Sequence, residues 1–183
     1  MLIYEGNIFS EEDCNHLLNS AKNFTTSKLY YTRDQGVKRE IISKNQRNSL
    51  QYDFDLLKSN PMFSKLNNIL ENFGYRLKCE FLLCNIIKYE IGHFIFKHRH
   101  DTDGDSFLTF VIQLDNSENY QGGDFLYWLD DKEYKMNRNR GYGAMLSADI
   151  EHEVLKVTEG VRHSFVVFIK LNDLENIKSK KIF

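Results

Sequence analysis

The chain of 183 residues contains a single proline, three cysteines and no surplus of basic residues. One proline and ten glycines exclude a collagen-like or linker-like chain. Lys and Arg number 24 against 26 Asp and Glu, whereas a dedicated nucleic-acid-binding protein usually carries a basic excess that neutralises phosphates. Nucleic acid is therefore an unlikely partner. Cys14, Cys79 and Cys84 show no CxxC spacing, so we expect reduced, buried thiols.

Long hydrophobic segments are missing as well. No apolar run approaches the ~20 residues that a membrane-spanning helix needs, and the first five residues lack the charged and apolar regions of a signal peptide. We therefore expect a cytoplasmic protein that does not contact a membrane. The chain is 42% hydrophobic and 14% aromatic, which is enough apolar surface for the core of one domain spanning residues 1–183.

The pattern of residues changes along this single domain. We expect a helical N-terminal part at about residues 1–77 and a β-rich core at about residues 78–171. Ser10 and the three acidic residues after it are typical of a helix start, because they satisfy free amides and favour the positive end of the helix dipole. A second helix is predicted over residues 54–73, with Pro61 marking a break or the start of its main part.

The second part of the chain alternates short β-rich segments with Gly, Asp and Asn. These residues favour turns, whereas Val, Ile, Phe and Tyr favour strands. Helices followed by many regularly spaced strands predict an α+β protein whose strands form a sandwich or barrel. The predicted strands cover residues 81–89, 93–98, 107–114, 124–128, 142–146, 152–157 and 163–169.

Three histidines in this β-rich part form a candidate metal site. His98 and His100 are two residues apart, so in an extended strand both side chains point to the same face. His152, far along the chain, could complete a facial triad that leaves other metal positions open, as oxygen-activating Fe(II) requires. A lone histidine is usually structural, but this combination indicates metal binding.

The segment from His152 to Ser164 resembles the second half of the active site in the iron- and 2-oxoglutarate-dependent oxygenases of the prolyl-4-hydroxylase-like superfamily. In that family a basic residue downstream of the histidine binds the far carboxylate of 2-oxoglutarate, and a hydroxyl two positions later assists. Arg162 and Ser164 match these positions. The residues from Tyr89 to His98, the following strand and the Gly122–Gly123 pair match further family motifs in the right order.

This resemblance implies a double-stranded β-helix (jelly-roll, cupin-like) with N-terminal helices packed on the outside. It also implies Fe(II), 2-oxoglutarate as co-substrate and O2. The reaction would hydroxylate a prolyl or other amino-acid side chain, in a small molecule or a peptide, and release succinate and CO2. If the substrate is a peptide, we expect Arg47 with Trp128 or Tyr127 to line its groove.

The resemblance also assigns roles to individual residues. His98, His152 and Arg162 would be catalytic, His98 and His152 as metal ligands. Gln113 stands where the family often has a tyrosine that touches 2-oxoglutarate, so this contact is weakened or formed differently. The residues implied to contact the co-substrate are Arg162, Ser164, Tyr89, Thr109 and Gln113.

The third metal ligand departs from the family pattern. The family has HxD, whereas this sequence has His98, Arg99 and His100, with Asp101 one residue later. Register favours His100, which shares the face of His98. Charge favours Asp101, which a bulge could turn inward to offset the charge of the metal. We favour His100, and neither residue leaves the vacancy that related halogenases use for halide.

Two alternatives remain open from the sequence. One is a three-histidine, cupin-type dioxygenase that acts on a thiol or a diketone without 2-oxoglutarate; Arg162 and Ser164 argue against it. The other is a binding module that kept the β-sandwich and lost its metal. The chain has no nucleophile elbow, GxGxxG or GK[ST] motif, so hydrolase, dehydrogenase and kinase functions lack support.

Overall fold

The computed structural model describes residues 2–27, 29–33, 37–41, 46–100 and 107–177. Two α-helices, α1 (Glu11–Ser20) and α2 (Pro61–Asn72), and two short 3-10 helices at residues 117–119 and 171–173 accompany the strands. In these ranges no helix is long and apolar enough to cross a membrane. The strands in chain order are β1 (Leu2–Asn7), β2 (Thr25–Thr26), β3 (Leu29–Arg33), β4 (Val37–Ile41), β5 (Arg47–Asn48), β6 (Leu50–Leu57), β7 (Tyr75–Leu77), β8 (Phe81–Tyr89), β9 (Phe94–His98), β10 (Phe107–Gln113), β11 (Tyr120–Gly122), β12 (Phe125–Leu129), β13 (Lys132–Lys135), β14 (Tyr142–Ser147), β15 (His152–Val154), β16 (Val157–Gly160), β17 (Arg162–Lys170) and β18 (Leu174–Asn176).

Two antiparallel sheets dominate the fold. The larger has seven strands in the order β1-β14-β10-β17-β8-β6-β2, and the smaller has five in the order β13-β12-β15-β9-β5. Apolar side chains from both sheets, such as Val111 of the larger and Phe125 of the smaller, belong to one buried cluster. The sheets therefore pack face to face, as in a sandwich. Three two-stranded sheets, β11-β16, β18-β7 and β3-β4, complete the fold.

Both helices pack against the other face of the larger sheet. The side chain of Ser10 accepts a hydrogen bond from the amide of Asp13, whose carboxylate accepts one from the amide of Ser10, so a capping box starts α1 as expected. Asn60 caps α2, and Pro61 occupies its first turn, where a proline costs no hydrogen bond. Apolar residues of both helices share a buried cluster with those of the central strands β10 and β17.

The N-terminal part contains more strand than the sequence predicted. Residues 54–57 belong to β6, not to a helix, and the helix begins only at Pro61. In β6 the polar side chains at positions 51, 53 and 55 alternate with apolar ones at 52, 54 and 56, which is the period of a strand. The prediction assigned a helical period because the leucines at the end of β6 run almost directly into the apolar stripe of α2.

The prediction for the second part of the chain is largely correct. Each of the seven predicted segments contains a strand of the structure. The segment at residues 152–157 is divided between β15 and the start of β16, and these strands belong to different sheets. The observed architecture is mostly β with two helices, which agrees with the predicted sandwich.

Candidate metal centre

An irregularity in β9 places His98 inside the sandwich. Across the ladder His152 pairs with His98 and Val154 pairs with Ile95, so two steps along β15 correspond to three along β9. The additional residue is a β-bulge, which reverses the alternation of side chains. Ile95 and His98 consequently line the same cavity, although they are three positions apart and would lie on opposite faces of a regular strand.

His98, His100 and His152 lie together in this cavity. One ring nitrogen from each histidine lies within 4.8 Å of the others. Their ring centroids are 4.3 to 5.4 Å apart. His98 and His152 are direct partners on adjacent strands, whereas His100 follows the end of β9. Distances of this size allow three imidazoles to coordinate one ion.

Hydrogen bonds at Nδ1 orient all three rings. Nδ1 of His98 and Nδ1 of His152 each lie 2.9 Å from a main-chain carbonyl oxygen two residues earlier. A carbonyl oxygen only accepts, so these two Nδ1 atoms carry the proton and Nε2 keeps its lone pair for a metal. Nδ1 of His100 lies 3.0 Å from Oγ1 of Thr109, so Thr109 orients the third ring.

The cavity keeps the three rings neutral. Burial lowers the pKa of His98, lowers the pKa of His100 to about 3 and lowers the pKa of His152 well below its ordinary value. Positive charge on His98 and Arg47 lowers the pKa of His100 further. Positive charge on His98 and His100 does the same to the pKa of His152. A neutral imidazole is the form that binds a metal, so the site is ready for a cation at neutral pH.

Arg162 is fully buried, with 0% of its side chain exposed. No described residue accepts a hydrogen bond from its Nε, Nη1 or Nη2. Its guanidinium carbon lies 5.0 Å from the centre of the Tyr89 ring, and Tyr89 is its partner across the β17–β8 ladder. Burying a cation without hydrogen-bond acceptors costs free energy of folding. An anionic ligand that accepts from this guanidinium would reduce that cost.

Other buried polar groups lie beside Arg162. Ser164 is 1% exposed and faces the cavity of the histidines. Gln113, its partner across the β10–β17 ladder, is also 1% exposed, and neither atom of its side-chain amide has a hydrogen-bond partner among the described residues. Arg162, Ser164 and Gln113 together offer several donors to one carboxylate.

A glycine makes room for the Arg162 side chain. Gly123 has φ +64, and a Cβ there would lie 3.1 Å from Cδ of Arg162 and 2.9 Å from Cγ2 of Val157. The positive φ and the lack of space both favour glycine. The sequence identified the Gly122–Gly123 pair only as a family turn, because no feature of the sequence shows which side chain packs over it.

The remaining candidate residues have different positions. Tyr89 and Thr109 line the cavity, and so does Arg47. Tyr127 is buried, and its hydroxyl donates to Glu5 at 2.6 Å, so it does not line the described part of the cavity. Trp128 is likewise absent from that lining and lies under Nζ of Lys97, which is 3.5 Å from its ring centre. Asp101 lies outside the described residues.

Comparison with known proteins supports the fold. No family model matches the chain, and no curated protein matches it by sequence. Its structure is similar to a Pseudomonas putida prolyl-4-hydroxylase, with a TM-score of 0.60, 14% identity and coverage of 90% of this chain and 89% of that one. It is also similar to an oxidoreductase of the 2OG-Fe(II) oxygenase family from Burkholderia pseudomallei, with a TM-score of 0.59, 17% identity and coverage of 92% and 84%.

A third similar structure contains a bound peptide. It is a prolyl hydroxylase from Trichoplax adhaerens in complex with a peptide fragment of the oxygen degradation domain of hypoxia inducible factor. The TM-score is 0.62 at 12% identity, and the match covers 100% of this chain and 87% of that one. At such identities the three similarities establish that this chain shares the fold of 2OG-Fe(II) oxygenases and prolyl hydroxylases.

Proposed function

We propose that the protein is an Fe(II)- and 2-oxoglutarate-dependent oxygenase with a double-stranded β-helix core. Its reaction hydroxylates a prolyl or other amino-acid side chain, in a small molecule or a peptide, and releases succinate and CO2. The observation that carries the proposal is the buried guanidinium of Arg162, which has no hydrogen-bond acceptor among the described residues and contacts Tyr89, a lining residue of the cavity that holds three convergent histidines. A dicarboxylic co-substrate that binds the metal at one end needs a cation at the other.

The donor set fits the metal. Three neutral imidazoles, His98, His100 and His152, suit Fe(II), and imidazole also suits Zn, Cu and Ni. The choice of iron therefore depends on the shared fold and on the second anion site at Arg162. Bound iron would supply the oxygen-dependent redox chemistry, for which no side chain of the protein is suited.

The side chains around the metal site would bind 2-oxoglutarate and orient the metal ligands. Arg162 forms charge-assisted hydrogen bonds to the far carboxylate of 2-oxoglutarate, while Ser164 and Gln113 donate to the same group. The ring of Tyr89 contacts the guanidinium and lines the cavity, so it helps to position Arg162. Thr109 holds the ring of His100 so that its Nε2 faces the other two histidines.

Much of the cavity wall is apolar. Apolar side chains from the larger sheet, including Ile87 and Val111, face Phe125 and Val154 of the smaller sheet across it. With few competing waters, the interaction of Arg162 with a carboxylate is stronger than it would be at the surface.

One observation favours a second candidate function. A site with three imidazoles and no described carboxylate is also what a three-histidine dioxygenase acting on a thiol or a diketone would use. Such an enzyme does not bind 2-oxoglutarate and therefore has no use for the unpaired cation at Arg162. The two candidates differ in their need for 2-oxoglutarate.

Turnover of 2-oxoglutarate tests the proposal. Iron-loaded protein should convert 2-oxoglutarate to succinate when O2 is admitted, and pyruvate, which lacks the far carboxylate, should be a much poorer co-substrate. Protein that binds iron stoichiometrically but forms no succinate, with or without added peptides and amino acids, would contradict the proposal and favour the second candidate. Protein that binds no metal would instead indicate a binding module.

A further inference from the structure

A second arginine, Arg47, faces the metal cavity from the opposite wall. It lies on β5 of the smaller sheet and pairs with Ile95 of β9, whereas Arg162 lies on β17 of the larger sheet. Arg47 lines the cavity together with His98 and His100. The two arginines therefore come from opposite sheets, Arg47 beside the histidines and Arg162 at the proposed co-substrate site.

One side-chain hydrogen bond of Arg47 is described. Nε donates to Oγ of Ser49 at 2.9 Å, and no described carboxylate forms a salt bridge with the guanidinium. Burial lowers the pKa of Arg47, and the nearby acidic groups of Tyr89 and Asp53 act on it in the opposite direction. The carboxylate of Asp53 accepts hydrogen bonds from Nε2 of Gln51 at 3.0 Å and from Nδ2 of Asn85 at 2.5 Å.

The charges in the cavity do not balance. Arg47 is the one permanently charged residue among those that line its described part, and none of them is Asp or Glu. A divalent metal, Arg162 and Arg47 would together carry four positive charges, of which 2-oxoglutarate neutralises two. Excess charge of one sign is costly in a partly desolvated site. No carboxylate among the described lining residues offsets the other two charges, so a further anion bound beside Arg47 would be stabilised there.

We propose that Arg47 binds a carboxylate of the substrate, so that the substrate class is carboxylate-bearing compounds. This inference rests on the proposed function and adds the recognition group of the substrate to it. The planar guanidinium can bind a carboxylate through two parallel hydrogen bonds, which fixes the orientation of the substrate as well as its charge. The carboxylate comes either from a free amino acid or from an acidic side chain of a peptide.

Binding to zinc-loaded protein tests this inference without turnover. The protein is loaded with Zn(II) and 2-oxoglutarate, so that the metal and Arg162 are occupied, and it is titrated by calorimetry. One arm compares free L-amino acids with their α-amides, and the other compares short peptides that contain Glu or Asp with the same peptides containing Gln or Asn. We expect at least one carboxylate to bind about 10- to 100-fold more tightly than its amide, because a hydrogen-bonded charge is lost.

Variants at position 47 show whether Arg47 causes the preference for a carboxylate over its amide. In R47Q the preference for the carboxylate should disappear, whereas R47K, which keeps the charge without the planar donors, should retain part of it. The matched control is R76Q on β7, an exposed arginine that pairs with Glu71 and should leave the preference unchanged. Zinc stoichiometry and thermal unfolding of each variant show whether the fold and the metal site are intact.

Each outcome decides the inference. Equal binding of carboxylates and amides, an unchanged preference in R47Q, or no binding by any carboxylate tested would overturn it. Loss of the preference in R47Q alone supports it, and the arm in which the preference occurs identifies the source of the carboxylate. The proposed function fails separately, through absence of succinate formation by iron-loaded protein, because binding to the zinc-loaded protein needs no oxidation.

Discussion

Arg162 shows how a single residue can be placed for binding at a cost in stability. Its three guanidinium nitrogens are buried without acceptors. An unpaired buried charge destabilises the folded state, and the charge remains because arginine does not lose its proton. The ring of Tyr89 offsets part of this cost through a cation–π contact. A ligand carboxylate would remove the rest.

Replacing Arg162 by methionine should therefore change stability and binding in opposite directions. We expect the free energy of unfolding of the ligand-free R162M protein to equal or exceed that of the natural protein, by up to about 2 kcal/mol, because a buried charge is removed at similar volume. The KM for 2-oxoglutarate should rise about 30- to 1000-fold, which corresponds to ~2 to 4 kcal/mol. Denaturant unfolding and succinate formation measure the two effects.

Iron binding supplies the control for this prediction. Arg162 is not a metal ligand in the proposal, so the iron stoichiometry of R162M should match that of the natural protein. Loss of iron together with an unchanged affinity for 2-oxoglutarate would show that the proposed role of Arg162 is wrong.

Substitutions of His100 and Asp101 can identify the third metal ligand. His100 contributes a ring nitrogen to the cluster, and Thr109 holds its ring. We expect His100→Ala to reduce metal affinity by at least about 100-fold, because one of three ligands is lost, whereas Asp101→Asn should reduce it by less. His16→Ala, at an exposed histidine on α1, is the control. A larger loss in the Asp101 variant than in the His100 variant would favour the carboxylate.

Part of this candidate site could be predicted from the sequence. The spacing of His98 and His100 predicted that both rings lie on one face, and the distance of ten positions from His152 to Arg162 matched a family pattern. The burial of Gln113 and the role of Gly123 were not predictable in the same way. Both depend on contacts between strands that are distant in the sequence, and a single sequence gives no information about such contacts.

At the scale of elements, irregularities in the strands shape the site. The bulge in β9 turns His98 inward, and a pattern of strict alternation would have placed Ile95 and His98 on opposite faces. Bulges leave little trace in a sequence, because the additional residue can be of almost any type. The end of β6 was predicted as helix because a strand and a helix with different apolar periods follow each other closely around Pro61.

The turn before β12 places Gly123 against the side chain of Arg162. We expect Gly123→Ala to destabilise the protein by about 1 to 3 kcal/mol, because the new Cβ has an unfavourable φ and displaces the side chains of Val157 and Arg162. Displacement of Arg162 should also raise the KM for 2-oxoglutarate. Denaturant unfolding and succinate formation measure both changes.

Gly92→Ala is a matched control for this turn. Gly92 has φ +84, but a Cβ there would meet nothing within 4 Å, so the substitution introduces backbone strain without a clash. It should destabilise the protein by about 1 kcal/mol and leave the KM nearly unchanged. An equal rise in KM in both variants would show that strain, and not the position of Arg162, causes the effect.

At the scale of the whole molecule, the two sheets have different roles. The smaller sheet provides His98, His152 and Arg47, and the larger provides Arg162 and the residues beside it. The cavity therefore depends on how the sheets pack, and a bound metal with 2-oxoglutarate would connect both. The sequence predicted the sandwich from the number of strands, but their order in the sheets required the structure, because it is set by long-range pairing.

The buried histidines should make the stability of the metal-free protein depend on pH. Burial lowers the pKa of His98, His100 and His152 in the folded protein, whereas in the unfolded chain each has a pKa near 6.5. As the pH falls below about 6.5, the unfolded chain takes up protons that the folded protein does not. Stability contributed by the neutral histidines is therefore present above pH 6.5 and is lost progressively below it.

Denaturant unfolding of metal-free protein between pH 7.5 and 4.5 measures this loss. We expect the free energy of unfolding to fall by up to about 1.4 kcal/mol per pH unit for each buried histidine. Carboxylates whose pKa is lowered in the folded state, such as Asp13 and Glu90, lose their contribution only near or below pH 4.5, so they do not produce the effect. Replacing the three histidines by glutamine should flatten the profile, and His16→Gln should not. A steep profile that survives the triple replacement would place the responsible groups elsewhere in the molecule.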